Sequence, residues 1–207
     1  VASDGKRFTF LQDTGVMVFE KTSGTAIKAV AIGDITAAAN LDVAFGNANG
    51  TVDVYDSAGT LAYSLQAVDG ITALDIGDLV SGGRHELALG TSAAALRVFS
   101  SSGTPLWNKT LGGSVNAVLF ANIGATTDAQ LLATTNGVIS MYNATGWRSL
   151  RTNIVGLTNV LTAGDLDDFG GDEYVLGTTG GTVSAYGRDL DKDDLADARE
   201  RLIEFTL

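Results

Sequence analysis

Short runs that alternate apolar with polar residues recur along the whole chain. LDVAFG, TVDVY and TLAYSL each run for five or six positions and are separated by clusters of Gly, Asn, Asp and Ser. Period-2 alternation punctuated in this way predicts short strands joined by tight turns. The strands come in groups of four, and the group repeats. AVAIGDI at Ala29 to Ile35 returns as ALDIGDL at Ala73 to Leu79, AVLFANI at Ala117 to Ile123 and VLTAGDL at Val160 to Leu166. Asp34, Asp78, Asn122 and Asp165 are separated by 44, 44 and 43 residues, and Gly46, Gly90, Thr134 and Gly177 follow with the same steps.

A fixed period of this size carrying a four-stranded meander is one propeller blade. The fold class that follows is all-β: a β-propeller of four-stranded blades of roughly 44 residues. In the third strand of each unit Val52 and Val54, or Leu96 and Val98, alternate with Asp53 and Arg97, so one face is apolar and the other wet. Tyr55, Phe99, Tyr142 and Tyr186 hold one equivalent aromatic position, expected to pack between blades. The N-terminus supplies two strands, Arg7 to Gln12 and Gly15 to Glu20, so the total is about four and a half to five blades. Residues 1–187 are read as blades and 188–207 as an Asp-rich segment with a C-terminal helix or strand. Pairing of Arg201 to Leu207, or of the last blade, with the N-terminal hairpin would close a five-bladed ring. The alternatives are a part of a larger ring, or an open array whose edges self-associate in a filament.

The Gly-Asp pairs and the segments after them carry a family resemblance. Gly33-Asp34 with Asp42-Val43, Gly77-Asp78 with Glu86 to Thr91, and Gly164-Asp165 with Glu173 to Thr178 resemble the blades of FG-GAP and VCBS type propellers. Gly103, Leu106 and Trp107 in GTPLW resemble the fourth strand of quinoprotein propellers. The resemblance covers residues 5–187 and implies a fold; propellers host adhesion, scaffolding and catalysis alike.

Two acidic runs have metal-ligand spacing. Asp189, Asp191, Asp193, Asp197 and Glu200 stand at positions 1, 3, 5, 9 and 12 of a twelve-residue loop, with Leu195 at position 7 for a backbone carbonyl. That is EF-hand spacing, in which hard oxygens replace the hydration shell of calcium. The run also resembles thrombospondin type 3 calcium repeats, but Asp194 stands where the pattern has glycine. The competing reading is an N-cap at Asp193 or Asp194 for a helix through Ala196, Ala198, Glu200, Arg201 and Ile203. A weaker second site is implied by the FG-GAP resemblance: Asp165, Asp167 and Glu173 at positions 1, 3 and 9, with Phe169 at position 5 and Asp168 as a substitute donor. The bland reading of that loop is turn chemistry, in which the first Asp or Asn of each repeat accepts a backbone N–H two residues on.

Charge and composition narrow the partners. A net charge of −11 with 13 Lys and Arg argues against nucleic acid, which needs a basic patch. No apolar stretch has membrane-spanning length, and the absence of cysteine removes thiol chemistry. His85, the one histidine, follows Gly82-Gly83-Arg84 and reads as an exposed turn residue, so no base with a nucleophile is in sight. Three N-x-S/T sequons, at Asn49, Asn108 and Asn143, sit in turns or outer strands and point to a secreted glycoprotein. The expectation is a non-catalytic extracellular propeller, a structural or adhesive module of a cell surface or filament, with protein or glycan partners. The alternatives are a carbohydrate-active or quinoprotein-like enzyme with a site in the central channel, where Trp107 and Trp147 or converging acids would serve, and an intracellular scaffold.

Overall fold

The computed structural model describes residues 2–3, 5–37, 40–81, 83–123, 129–166, 171–187 and 200–206, and these contain strands and turns but no helix. The strands form five sheets in chain order. The first holds β1 (Ala2–Ser3), β2 (Arg7–Leu11) and β3 (Met17–Thr22). The second is β4 (Ile27–Gly33), β5 (Asp42–Asn47), β6 (Thr51–Tyr55) and β7 (Leu61–Gln66). The third is β8 (Ile71–Gly77), β9 (Glu86–Thr91), β10 (Ala95–Phe99) and β11 (Pro105–Thr110). The fourth is β12 (Ala117–Ala121), β13 (Gln130–Thr135), β14 (Val138–Tyr142) and β15 (Arg148–Asn153). The fifth is β16 (Thr158–Gly164), β17 (Glu173–Thr178), β18 (Thr182–Gly187) and β19 (Glu200–Thr206). Each four-stranded sheet is an antiparallel meander, and β4, β8, β12 and β16 lie side by side, a propeller-like stack.

Burial along the strands follows their place in the sheet. The second strands β5 and β9 are buried at every position, because a neighbouring sheet covers each face. The fourth strands β7, β11 and β15 share one pattern of alternate exposure, and β3 has the same pattern. A shift of 44 residues superposes β2 on β6 and β3 on β7, so among the described residues the first sheet supplies strands two to four of a repeat. The sequence had marked only two strands there, ending at Gln12 and Glu20; the short β1 is added by pairing of Ala2 with Thr9 and Ser3 with Phe8.

Cores lie between sheets. One cluster joins Ala31, Val52 and Val54 of the second sheet to Leu74, Ile76 and Leu87 of the third; another joins Leu79, Leu96 and Val98 to Val118, Leu131 and Tyr142 of the fourth. Large residues of one inner strand enter gaps left by glycine on the sheet before. A Cβ on Gly33 or Gly46 would come closer than 3.0 Å to Ile76 or Ile71, and one on Gly77 or Gly90 equally close to Phe120 or Val115. The next seam trades sizes: Ala121 replaces the glycine, and Ala163 stands where Ile76 and Phe120 stood. At the outer edge a second device recurs. Phe19, Tyr63 and Trp107, each on a fourth strand, sit on Gly59, Gly103 and Gly146 of the following sheet, at 2.7, 3.1 and 2.9 Å from the Cβ that glycine lacks. Those glycines have φ of +81°, +79° and +75°, so they also serve the strand three to four turn. The expected aromatics pack between sheets as well: Tyr55 lies 6.0 Å from Phe8, and Tyr142 lies 5.8 Å from Trp107.

The loop between strands one and two closes differently from the sequence expectation. The ninth residue holds it: Asp42 Oδ2 accepts from Ile35 N (3.0 Å) and Thr36 N (2.5 Å), and Glu86 Oε2 from Leu79 N (2.9 Å) and Val80 N (3.1 Å). Gln130 Oε1 accepts from Ile123 N, and Glu173 Oε2 from Leu166 N, both at 2.8 Å. Two carbons of side chain in Glu and Gln, or one in Asp, reach loop amides that are buried at Ile35 and Leu79 and part-buried at the others. A neutral Gln does this as well as a carboxylate, so the role is acceptance of a hydrogen bond rather than charge. Asp34 instead reaches the next sheet, where Arg84 Nη1 donates to it at 2.9 Å.

The chain's last seven described residues form a strand, β19, paired antiparallel to β18 from Thr182↔Thr206 to Gly187↔Glu200. The helix alternative through Glu200 and Ile203 is therefore replaced by a strand, and its partner is the fifth sheet rather than the N-terminal hairpin. Residues 200–206 thus complete that sheet.

Two glycines at one repeat position separate socket from open face. Gly77→Ala should lower stability by about 2 kcal/mol through overpacking against Phe120. Among the described residues nothing lies within 4 Å of a Gly164 Cβ, so Gly164→Ala should stay within about 0.5 kcal/mol of wild type. Urea unfolding of both variants decides it; equal losses would contradict the socket account.

Candidate functional site

Charge is segregated along this acidic chain. Between Glu86 and Asp165 the sequence has a single acid, Asp128, against the cations Arg97, Lys109, Arg148 and Arg151. Folding brings three of these cations to one groove. Its two adjoining hollows, of 350 and 380 Å³, run between β11 of the third sheet and the outer strands of the fourth. Lys109, Tyr142, Trp147 and Arg148 line the first, and Arg148, Arg151, Asn136 and Ser140 the second. Arg148, Arg151 and Trp147 are exposed. The ion pairs among the described residues, Arg7 with Glu20 and Arg84 with Asp34, involve none of the groove's cations.

The walls are fixed by the turn before β15. Asn143 Oδ1 accepts from Thr145 N (3.1 Å) and Trp147 N (2.9 Å), an Asx turn that fixes the backbone. Trp107 seats on Gly146 from the sheet before, and its Nε1 donates to Ala144 O at 3.0 Å. The residue after the turn glycine is Thr60 or Thr104 in the two preceding sheets but Trp147 here, 72% exposed. An exposed indole beside Lys109 and Arg148, with Arg151 in the adjoining hollow, is a surface for a carboxylate-bearing chain: the guanidinium forks pair with carboxylates, and the ring gives flat apolar area. Composition alone carried the signal that leads here, an acid-free stretch in an acidic protein, but average charge hid it.

The predicted site residues scatter. Asn49, Asn108 and Asn143 are all exposed, on a strand two to three turn, on β11 and on the strand three to four turn. Asp189, Asp191, Asp193, Leu195 and Asp197 lie outside the described residues, and Glu200 opens β19. In the weaker site Asp165 is exposed, Asp167 and Asp168 lie outside the described residues, and Glu173 is buried with Oε2 on Leu166 N. The recurrent ninth-position acceptor is thus accounted for by backbone amides. Trp107 and Trp147 belong to outer strands and turns, away from the inner strands where a channel site would draw on them.

His85 is half-buried rather than exposed: its N–H donates to Asp34 O at 3.1 Å across the second and third sheets. Asp75, on the inner strand β8, bridges the next seam, with Oδ2 accepting from Phe120 N at 2.7 Å. Burial pushes the Asp75 carboxyl up to about 6, against the opposing pull of hydrogen bonds from Phe120 and Ile76 and the charge of His85. Burial likewise raises Glu86, partly offset by its amide donors.

No protein-family model matches this chain, and no curated protein sequence does. Solved structures do. The chain is similar to BBS1N from a crystal of its complex with ARL6DN soaked with mercury (TM-score 0.74, 10% identity, 99% of this chain and 62% of that one). A lead-soaked crystal of the same complex gives a TM-score of 0.66 at 16% identity over 85% of this chain and 52% of that one. A protein of unknown function from Bacteroides caccae gives 0.62 at 9% identity over 99% of this chain and 70% of that one. These likenesses establish a propeller-like fold. The chain spans 52 to 62% of the length of the BBS1N structures it matches.

Asp75 gives the fold a pH dependence of known sign. Its folded pKa is raised, so the folded state holds a proton that the unfolded chain loses first, and this group's contribution to stability falls as pH rises from about 4 to about 6. Asp75→Asn keeps an acceptor for Phe120 N and removes the titration. The variant should match wild type near pH 4 and exceed it by on the order of 2 kcal/mol above pH 7. Parallel stability profiles across that range would contradict the assignment.

Proposed function

We propose that this chain is a non-catalytic, propeller-like module of a cell surface or surface filament that binds a protein partner through the basic aromatic groove between its third and fourth sheets. The observation that carries the reading is the convergence of Lys109, Arg148 and Arg151 around exposed Trp147 on a chain of net charge −11. A cationic groove on an anionic body selects an acidic segment and repels other acidic surface. The similar BBS1N structures were solved as complexes with a protein, ARL6DN, which supports a protein partner in general. On this reading the five sheets are consecutive blades of FG-GAP type. The exposed sequons Asn49, Asn108 and Asn143 support a secreted protein, and Asp189 to Glu200 would hold calcium through Asp189, Asp191, Asp193, Asp197, Glu200 and the Leu195 carbonyl.

The groove is tested with a fluorescent decaglutamate peptide at low salt. It should bind wild type and lose at least about tenfold in affinity, or about 1.4 kcal/mol, with Arg148→Glu and Arg151→Glu together, and again with Trp147→Ala. Salt should weaken binding. Undiminished binding by both variants would remove the groove from the proposal. Location and calcium are read by native mass spectrometry of the protein from its source, against a sequence mass of 21.3 kDa. Hexose-type mass on peptides holding the sequons and chelator-sensitive calcium mass are expected; a bare chain would overturn the cell-surface placement.

A further inference from the structure

Buried side-chain polar atoms with no hydrogen-bond partner are unevenly placed among the described residues. Of seven, four belong to the seam between the fourth and fifth sheets: Oγ1 of Thr134, Thr158 and Thr178, and Nδ2 of Asn116. Thr134, Thr158 and Thr178 are 0%, 5% and 8% exposed, so their hydroxyls are closed off from bulk solvent. A buried hydroxyl or amide is costly to leave without a partner, and four at one seam call for a common one.

The repeat shows which way these groups face. The position of Thr134 is Gly46 in the second sheet and Gly90 in the third, where a Cβ would come closer than 3.0 Å to Ile71 and Val115 of the next sheet. Thr158 stands one period after Val115, so a contact that is glycine against a branched apolar residue in two seams becomes threonine against threonine in this one. Thr158 and Thr178 are register partners on β16 and β17 and share a face of the fifth sheet. Asn116 holds the position of Thr72, whose Oγ1 donates to Val115 O on the next inner strand at 2.6 Å, and its own N donates to Thr134 O at 2.8 Å. Glycine at 156 and 180 keeps side chains off the Thr178 hydroxyl, since a Cβ there would lie 3.3 or 3.6 Å from it. We propose that the seam between the fourth and fifth sheets is a binding site for one ordered water, which bridges Thr134 and Thr158 and takes its remaining hydrogen bonds from Thr178 and Asn116. Hydroxyls that donate or accept, with an amide nitrogen that donates, match both the donors and the acceptors of a water, and the four groups carry no charge that would select an ion. The two preceding seams are closed here by shape alone, whereas this one is closed by a hydrogen-bonded bridge. The site is separate from the groove of the proposed function, and either can fail without the other.

The sign of a stability change tests this. Thr158→Val and Thr134→Val keep the branched shape and remove one hydroxyl. If the hydroxyls hold a water, urea unfolding of the full chain should show each variant's folding equilibrium constant lowered by about tenfold. Both together should lower it by less than the product of the separate losses, because the two hydroxyls hold the same water. A crystal structure of the wild-type chain at high resolution should show a water within about 3.2 Å of at least three of the four atoms. Stability that is unchanged or raised in either single variant means hydroxyls without a partner and would overturn the proposal. So would separate losses that multiply, or a direct hydrogen bond between Thr134 and Thr158 with no water between them.

Discussion

Everything in this fold depends on steric complementarity between consecutive sheets. A glycine at the end of one inner strand leaves a space that a branched or aromatic residue on the next inner strand fills, and the exchange of sizes at Ala121 and Ala163 shows that the two positions are matched as a pair. Close packing makes the match compulsory, because an interior at crystal-like density has no room for an unmatched methyl. Each sheet therefore needs its neighbour more than it needs distant ones, the quasi-one-dimensional logic of repeat proteins. The outer latch of Phe19, Tyr63 and Trp107 on turn glycines repeats the principle at the rim, so sheets are registered at both ends of their strands.

Polar groups divide between holding the fold and facing a partner. Asp42, Glu86, Gln130 and Glu173 are buried or half-buried acceptors for loop amides, and Asp75 ties one inner strand to the next. Those groups sit where acids cost most, and each is matched with N–H donors. The groove's cations have no such duty. Arg148 and Arg151 are exposed and Lys109 half-buried at the outer rim, beside an indole that replaces a threonine, and this contrast marks the groove as a surface made for contact.

The strands, the turns and the 44-residue step were legible because they are local: alternation, glycine and Asx chemistry are written within a few residues of where they act. The third-strand faces of Val52, Val54, Leu96 and Val98 followed from alternation and are fully buried. The ninth residue's part in closing the loop was not legible, since an Asx turn is the shorter and more familiar closure, while the ninth residue reaches back only because β5 or β9 pairs beside β4 or β8. His85 read as exposed because nothing in its neighbours in sequence shows Asp34 fifty-one residues earlier receiving its N–H.

Leu79 and Leu166 mark the division between what the sequence by itself determined and what tertiary structure decided. They are the same residue at the same repeat position, following Gly-Asp, yet one is fully buried and the other 56% exposed. The sequence determines the repeat, the strand and the apolar side chain, because backbone preference and period are properties of a short segment. Which of those side chains lies in a core, and which cations converge on a groove, depends on whether another sheet lies against them. That neighbour comes from one period further along the chain, so its effect enters only when the sheets stack.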